Sequence, residues 1–467
     1  VTLGTDRVVQ CKAATQDQPG AHARVACLSQ RAATVGGLLA ALETLPADSL
    51  PNGPGAVTLI PNVSSCSNGR PYTMPSHPPK LLTQAIQLEA EIERAKVMSR
   101  FGHYEEAIRD VSAALVEAKR LGIRGVVARA HFTLAAIAKE RGNRDLARAG
   151  FEQAAELAEE SGNDALRADA LSGQMVLAND ETALAALARR AEAVVIRTDD
   201  PAMLARFLSR RGVAKLKRGF GAEGVDDLEN ARSMQLSLDG EDTVAIARID
   251  GNLSAGLAMV GRIEESVERR RHAVELSRIH NGTEHPAYAR HLGSLGQQVD
   301  EKEGAEMLRE ALSVFRKNFG EAHPDTVQAL SNLCVVEGKF QSPDAVTHCT
   351  EAVAAADLLH GPNAPEVAWP LTALGLELLN LDRFAEAEVA LKRGLRVAAD
   401  PPRYPNEVAD LQYYLGVSLA KQDIQLPKAL SLIRAAREVW GESPVRQALV
   451  PELDQLVEKL ELAIQEK

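Results

Sequence analysis

Apolar positions with a helical period recur along most of the chain, and residues 367–400 show the pattern best. The first half of this segment, Ala-Trp-Pro-Leu-Thr-Ala-Leu-Gly-Leu-Glu-Leu-Leu, reads as one amphipathic helix. After a short turn, a second helix carries Ala387, Leu391 and Gly394 on one face. The small residues, including Gly375 on the first helix, allow two helices to approach closely. The pattern therefore predicts a helical hairpin.

The same arrangement of small and bulky residues returns at a fixed interval. It is seen in Ala135 with Ala147, Phe151 and Ala154, in Gly212 with Gly224, Leu228 and Ala231, and in Gly416 with Ala429, Ile433 and Ala436. Proline residues follow one another every 38 to 41 residues at Pro286, Pro324, Pro365, Pro405 and Pro444. Most have a Gly a few residues earlier, and this Gly is expected to adopt a left-handed conformation past a helix end. Proline suits the first helical position, where no backbone donor is lost.

These features resemble the tetratricopeptide repeat (TPR) family. The segments His323-Pro-Asp-Thr-Val-Gln-Ala-Leu-Ser-Asn-Leu-Cys334 and Gly251-Asn-Leu-Ser254, followed by Val260-Gly-Arg-Ile-Glu-Glu265, are similar to the kinesin-light-chain type. The resemblance implies an all-α, right-handed TPR α-solenoid of about nine helical hairpins. We expect units to start near residues 81, 125, 164, 201, 242, 286, 324, 365 and 405, with a degenerate third unit and a shortened turn in the sixth.

Four domain segments follow from this pattern. Residues 1–46 predict an N-terminal helical hairpin, and residues 47–79 are an extended segment rich in Pro, Gly and Ser. The solenoid is expected to occupy residues 80–443. Residues 444–467 predict a terminal capping helix with a polar outer face, as the end of a solenoid requires.

The N-terminal region has a resemblance of its own. Val8-Val-Gln-Cys-Lys-Ala-Ala-Thr15, Arg24-Val-Ala-Cys-Leu-Ser-Gln-Arg31 and Leu59-Ile-Pro-Asn-Val-Ser-Ser-Cys66 precede the repeats. This order resembles the C-terminal region of myxobacterial-type bacterial Ser/Thr protein kinases. The resemblance implies an extracytoplasmic position, tethered through an upstream membrane span. The Gly-rich loop, His-Arg-Asp and Asp-Phe-Gly motifs of a kinase do not occur, so we expect a non-catalytic region.

The amino-acid composition of the chain disfavours some classes of binding partner. The chain has 467 residues, 4% aromatic residues and a net charge of −11. Few aromatic residues favour helices packed through Ala, Leu and Val, and the acidic charge disfavours nucleic acid or anionic membranes as partners. No apolar run is long enough for membrane insertion. The initial Val suggests that an upstream segment was removed.

Five cysteines raise the question of disulfides. Cys11 and Cys27 lie symmetrically about the turn predicted near residue 19, so they can face each other in a helical hairpin. Cys334 and Cys349 both point into the seam of one later hairpin. The alternative for this second pair is two small buried thiols. Cys66 would be left over or would replace one partner, and paired cysteines would indicate an oxidising compartment.

The residues that could form a catalytic or metal site have simpler structural explanations. His272, His280, His285 and His291 are close in sequence, but His285 belongs to a His-Pro joint that recurs at His323. His348 and Cys349 are adjacent along one helix, whereas catalytic pairs meet in space. No phosphate-binding loop is present. We therefore expect no enzyme activity, no cofactor and no metal.

The best candidate for a ligand-binding site is the concave groove of the predicted solenoid. In four units an Arg stands six residues before the small residue of the first helix, at Arg129, Arg206, Arg248 and Arg290. In TPR proteins this position lines the concave groove, where guanidinium groups suit carboxylates. Neighbouring groove positions hold Asn252 and Asn332, and Trp369 and Tyr413 suggest an apolar subsite. The alternative is that each Arg pairs with an acidic residue of the adjacent repeat.

The sequence thus predicts a scaffold that binds a protein or peptide in its groove. Two alternatives remain open: a self-assembling structural protein, and the TPR half of a cytoplasmic regulator.

Overall fold

The computed structural model describes residues 32, 35–40, 43, 81–100, 103–141, 143–178, 180–241, 243–398, 405–442 and 446–465. They are almost entirely helical, and the described part of the chain contains no strand. Two compact units are distinguished, residues 1–288 and 289–467. The domain boundaries predicted above remain predictions.

Helices follow one another in pairs, which are numbered here as hairpins in chain order. The pairs are α1 (Leu82–Arg100) with α2 (Tyr104–Leu121), α3 (Arg124–Glu140) with α4 (Arg144–Glu160), α5 (Asp164–Val176) with α6 (Glu181–Thr198), α7 (Pro201–Leu216) with α8 (Gly221–Asp239), α9 (Val244–Met259) with α10 (Ile263–Asn281), α11 (Pro286–Gly296) with α12 (Glu301–Phe319), α13 (Pro324–Lys339) with α14 (Ala345–His360), α15 (Ala368–Asn380) with α16 (Phe384–Ala398), and α17 (Pro405–Lys421) with α18 (Leu426–Glu442). A final helix, α19 (Val450–Gln465), follows the ninth hairpin. The predicted all-α array of about nine hairpins is confirmed.

Polar side chains at the turns start many of these helices. Asn143 accepts a hydrogen bond from the backbone N–H of Leu146 at 3.1 Å, and Asp180 accepts one from Ala183 at 2.8 Å. Such caps satisfy backbone donors that have no partner within the helix. Even the degenerate third unit forms a hairpin, although its first helix has only 13 residues.

The predicted joints between hairpins are present, with one difference. Pro286 and Pro324 begin α11 and α13 as expected. Gly282 and Gly320 precede them at φ angles of 82° and 74°. Their ψ angles of 164° and −170° are extended, so these residues do not form the expected left-handed helix cap. They occupy instead a region of backbone space that is open essentially only to Gly.

Each unit has its own core along the hairpin seams. In the first unit Ile92, Val126 and Leu228 are fully buried, and in the second unit Leu330, Leu391 and Ile433 are fully buried. Alanines fill much of the remaining seam, which explains the low aromatic content. Part of the predicted N-terminal hairpin is also described: residues 35–40 are helical and Leu38 packs into the core of α1.

A membrane-spanning helix is not found among the described residues, since none combines the length and apolar character that a bilayer requires.

Candidate ligand-binding groove

The four arginines of the predicted groove lie at one repeat position, on α3, α7, α9 and α11. Each is six residues before a seam residue of its own helix. Two of these seam residues, Gly212 and Gly296, lie very close to the backbone of the second helix of their hairpin. A Cβ atom added to Gly212 would lie 2.8 Å from the Gly224 carbonyl oxygen, and one added to Gly296 would lie 2.7 Å from that of Gly304. The seam thus fixes the register of the arginines. Three lie in the first unit, and Arg290 lies in the second.

In the first unit two of these arginines face acidic residues of the preceding hairpin. Arg129 is 3.8 Å from Glu89 and 3.9 Å from Glu93, both on α1. Glu89 is 5% exposed, and burial raises the pKa of its carboxyl group despite the nearby guanidinium. At these distances the groups attract each other without a hydrogen bond.

Arg206 shares an acidic partner with a second arginine. Its Nε is 3.9 Å from Asp169 on α5, while Arg210 on the next turn of α7 approaches the same carboxylate to 2.5 Å. Burial opposes ionisation of Asp169, but the two guanidinium groups outweigh it and lower the pKa of that carboxyl. The stronger contact belongs to Arg210, so Arg206 is the less engaged of the two.

Arg248 is exposed, and Asn252 is half-buried. They are four residues apart on α9 and therefore lie on one face of that helix. A guanidinium and a carboxamide on one face can hold a carboxylate and a peptide backbone respectively. The structure therefore brings together the charged and amide parts of the predicted site within this single helix.

The second unit carries the remaining groove residues. Arg290 is exposed and contacts Asp325 of the following hairpin at 2.7 Å. Asn332 is only 9% exposed, and its Oδ1 accepts a hydrogen bond from Gln328 at 2.8 Å. Little of the Asn332 amide is thus left to meet a ligand. The alternative stated above, pairing between repeats, is observed for Arg129, Arg206 and Arg290.

The two predicted aromatic groove residues differ in their surroundings. Trp369 is 37% exposed on α15. Tyr413 is half-buried on α17, and its ring centroid lies 5.0 Å from that of Trp440 and 5.2 Å from that of Tyr414. No ring contact joins Trp369 to Tyr413 in the described part of the chain. Tyr413 therefore belongs to an aromatic cluster with the buried Trp440.

Charged groups surround this aromatic cluster. Arg446 lies over the Trp440 ring at 5.5 Å and contacts Asp410 at 2.6 Å. On the same helix as Asp410, burial together with the charges of Asp410 and Glu366 raises the pKa of Glu407 to about 7. This corner of the second unit therefore changes its charge near neutral pH.

Cys334 and Cys349 form a disulfide between α13 and α14, with their Cα atoms 5.0 Å apart. Both residues are fully buried in the seam. The pairing considered for Cys11 and Cys27, and the partner of Cys66, lie outside the described residues.

The histidines of the His-Pro joints have a structural role. The Nδ1 atoms of His285 and His323 accept hydrogen bonds from the backbone N–H two residues later, at 3.0 and 3.2 Å. Each thereby caps the helix that its following proline begins. In the residues that the structure describes, no three His, Cys, Asp or Glu side chains come together as a metal site would require.

A set of buried carboxylates ties helices together and was not predicted from the sequence. Asp250 is fully buried on α9 and contacts Arg232 Nε and His272 Nδ1, each at 2.6 Å. In the second unit the fully buried Glu337 contacts Arg309 at 2.5 Å and His348 at 2.6 Å. An acidic residue on the apolar face of a first helix is the signal that would have revealed them.

Comparison with known proteins supports no closer assignment. No protein-family model matches the chain, and no curated protein matches it. Among solved structures, a kinesin light chain from Podosopora anserina with nearly identical TPR-like repeats is 18% identical; the match covers 44% of this chain and 100% of that one, with a TM-score of 0.38.

Two longer matches were also found. Yeast Tom70 is 14% identical, with 82% of this chain and 84% of that chain covered and a TM-score of 0.46. A Rap protein complexed with competence and sporulation factor is 13% identical, with 81% and 99% covered and a TM-score of 0.45. At these identities the likeness concerns the fold alone. From its hairpin array and the small and bulky residues of its seams, this chain is a helical repeat protein with a TPR-like fold.

Proposed function

We propose that this chain is a non-catalytic scaffold that binds an acidic protein or peptide segment along the first helices of its hairpins. The observation that carries the proposal is Arg248, which is exposed on the same face of α9 as Asn252. Arg206 supplies a second guanidinium at the same repeat position, since Arg210 already compensates Asp169. An extended ligand with carboxylates at the repeat interval would meet both arginines.

The test uses peptides selected from a random displayed library on the full chain. The double variant Arg206→Ala with Arg248→Ala should weaken the selected peptides at least about tenfold, because two charge-assisted contacts are lost. Its melting temperature should stay near that of the wild type. The control is Arg278→Ala, which removes an exposed arginine paired with Glu275 on the second helix α10. Unchanged affinity in the double variant would refute peptide binding through Arg206 and Arg248.

The position of this scaffold is also proposed to be extracytoplasmic, as the non-catalytic sensor region of a membrane Ser/Thr kinase. The Cys334–Cys349 disulfide supports an oxidising compartment. The kinase context rests on the sequence resemblance alone. The residues encoded upstream of Val1 in the gene test it: a membrane span preceded by kinase motifs is expected, and their absence would favour a cytoplasmic regulator.

One observation favours self-association as a second function. Near the ends of three successive second helices of the first unit, Ile196, Leu238 and Ile279 are 69%, 42% and 53% exposed. Exposed aliphatic side chains of this kind suit contact with another protein surface. Size-exclusion chromatography over a range of concentrations distinguishes the two functions, because a peptide-binding scaffold stays monomeric whereas an assembly protein does not.

A further inference from the structure

One core position of the fifth hairpin breaks the pattern of the other hairpins. Each second helix places three side chains in the seam at spacings of four and three residues, and in α10 these are Ser266, Arg270 and Ala273. Every other hairpin has an apolar residue at the middle position: Val111, Phe151, Ala188, Leu228, Leu308, Cys349, Leu391 and Ile433. Arg270 therefore replaces a core hydrophobic residue with a guanidinium.

Arg270 is buried without a counter-charge. The residue is 7% exposed, and its Nε has no hydrogen-bond partner. No carboxylate within the described residues forms an ion pair with it, whereas its neighbour Arg269 contacts Glu268 at 3.6 Å. Burial alone lowers the pKa of the Arg270 guanidinium to about 10, so the side chain remains charged at neutral pH.

The rest of the hairpin does not supply the missing anion. Asp250, the buried acidic residue of α9, is held by Arg232 and by His272 at 2.6 Å. One helical turn before Arg270, the Ser266 hydroxyl donates to the Ser254 carbonyl oxygen at 2.8 Å and lies 3.1 Å from the Ser254 hydroxyl. Two neutral hydroxyls, and not carboxylates, thus lie in the seam one helical turn before Arg270.

A buried charge that lacks a partner is costly, and a guanidinium offers a planar fork of donors that matches an oxyanion. We propose that Arg270 forms the base of an oxyanion-binding site in the fifth hairpin, which takes a carboxylate or a phosphoryl group. The neutral seam leaves the positive charge of Arg270 uncompensated until such a group arrives. The proposal deepens the proposed function, because an acidic peptide is one source of the oxyanion, but the site is testable without a peptide.

The test measures thermal unfolding of the full chain in sodium acetate, sodium phosphate and sodium chloride at equal ionic strength. Acetate or phosphate should raise the melting temperature of the wild type above its value in chloride, with saturation. A response to acetate indicates a carboxylate ligand, and a response to phosphate alone indicates a phosphoryl ligand. The control variant Arg271→Met, which changes the exposed neighbour on α10, should respond like the wild type.

Arg270→Met keeps the side-chain volume while removing the charge. This variant should have a higher melting temperature than the wild type in chloride and no response to either oxyanion. Arg270→Lys keeps the charge without the planar fork, and it should weaken the half-saturating concentration about tenfold. An oxyanion response that is equal in wild type and Arg270→Met, or a lower melting temperature of Arg270→Met in chloride, would overturn the site.

The outcome is separable from that of the groove proposal. A chain that responds to oxyanions through Arg270 but selects no peptide refutes the scaffold function and retains the site. A chain whose peptides depend on Arg206 and Arg248, but whose melting temperature shows no oxyanion response through Arg270, retains the scaffold and refutes the site.

Discussion

The Nε atom of Arg232 donates a hydrogen bond to the fully buried carboxylate of Asp250 at 2.6 Å, and this contact ties the fourth hairpin to the fifth. His272 reaches the same carboxylate from α10. One acidic side chain therefore joins three helices.

Loss of Asp250 should destabilise the first unit strongly. Asp250→Ala leaves His272 without its anion, and Arg232 with only the exposed Glu241, around a cavity. We expect a loss of about 3–5 kcal/mol in the free energy of unfolding. Chemical denaturation followed by circular dichroism measures it. The control Glu229→Gln removes an exposed partner of Arg262 and should cost less than about 1 kcal/mol. Equal effects of the two substitutions would contradict the role of Asp250.

The close crossing of α11 and α12 predicts an intolerant glycine. A Cβ atom on Gly304 would lie 2.0 Å from the Gly296 carbonyl oxygen, so Gly304→Ala must separate the two helices. We expect a loss of about 1–3 kcal/mol or more, visible as a lower melting temperature. Gly441, also in a helix, has open space around it, and Gly441→Ala should be neutral or stabilising by up to about 1 kcal/mol. A neutral Gly304→Ala variant would show that the helices do not approach this closely.

The disulfide gives a chemical prediction. In native protein purified without reductant and then denatured, Cys334 and Cys349 should resist alkylation until a reductant is added. Because the bridge spans 15 residues of sequence, replacing both cysteines by Ala should cost about 3 kcal/mol in the free energy of unfolding. Peptide mapping by mass spectrometry checks the first point. Full alkylation before reduction would count against the bridge and against an oxidising compartment.

Glu407 predicts a pH dependence of stability. Its pKa rises from an ordinary 4.5 to about 7 in the folded chain, so the folded state binds more protons than the unfolded state between these values. The stabilisation is fully present below pH 4.5 and is lost as the pH rises through about 7. After allowance for its partial exposure, we expect a fall on the order of 1–2 kcal/mol.

The matched variant for this prediction is Glu407→Gln, which cannot ionise. Melting temperatures of the second unit measured from pH 5 to pH 8 should fall less in this variant than in the wild type. Identical pH profiles would show that Glu407 is not the titrating group. Asp410 and Glu366 are the neighbouring carboxylates that remain in both proteins.

The local architecture was largely predictable because helical period and seam residues act over a few residues. Spacing alone marks Gly212 and Gly296 as positions where two helices approach closely. It also marks the joint prolines as the first residues of helices. The ψ angle of Gly282 was mispredicted, since a glycine signal indicates a positive φ but does not distinguish the two backbone regions that share it.

The polar contacts were less predictable because they join residues far apart in sequence. Asp250 is 18 residues from Arg232 and 22 from His272, and nothing in the sequence states which way those side chains turn. The spacing placed Arg206 six residues before the seam residue Gly212, as the structure has it. Its acidic neighbour Asp169 could not be predicted, because it lies 37 residues earlier on another hairpin. Arg270 is different: the spacing from Ser266 to Ala273 already places it in the seam, so the pattern contained the signal.

The Cys334–Cys349 bridge has a mechanical consequence. Both sulfur atoms belong to one hairpin, so the bond leaves every other hairpin free to unravel when the chain is pulled from its ends. The chain between the two cysteines, which are 15 residues apart in sequence, cannot extend while the bond is intact. The fully stretched oxidised chain is therefore shorter than the reduced chain by about 50 Å, the contour length of that loop. Under tension, the stretched length of the chain therefore depends on whether the bridge in the seventh hairpin is oxidised or reduced.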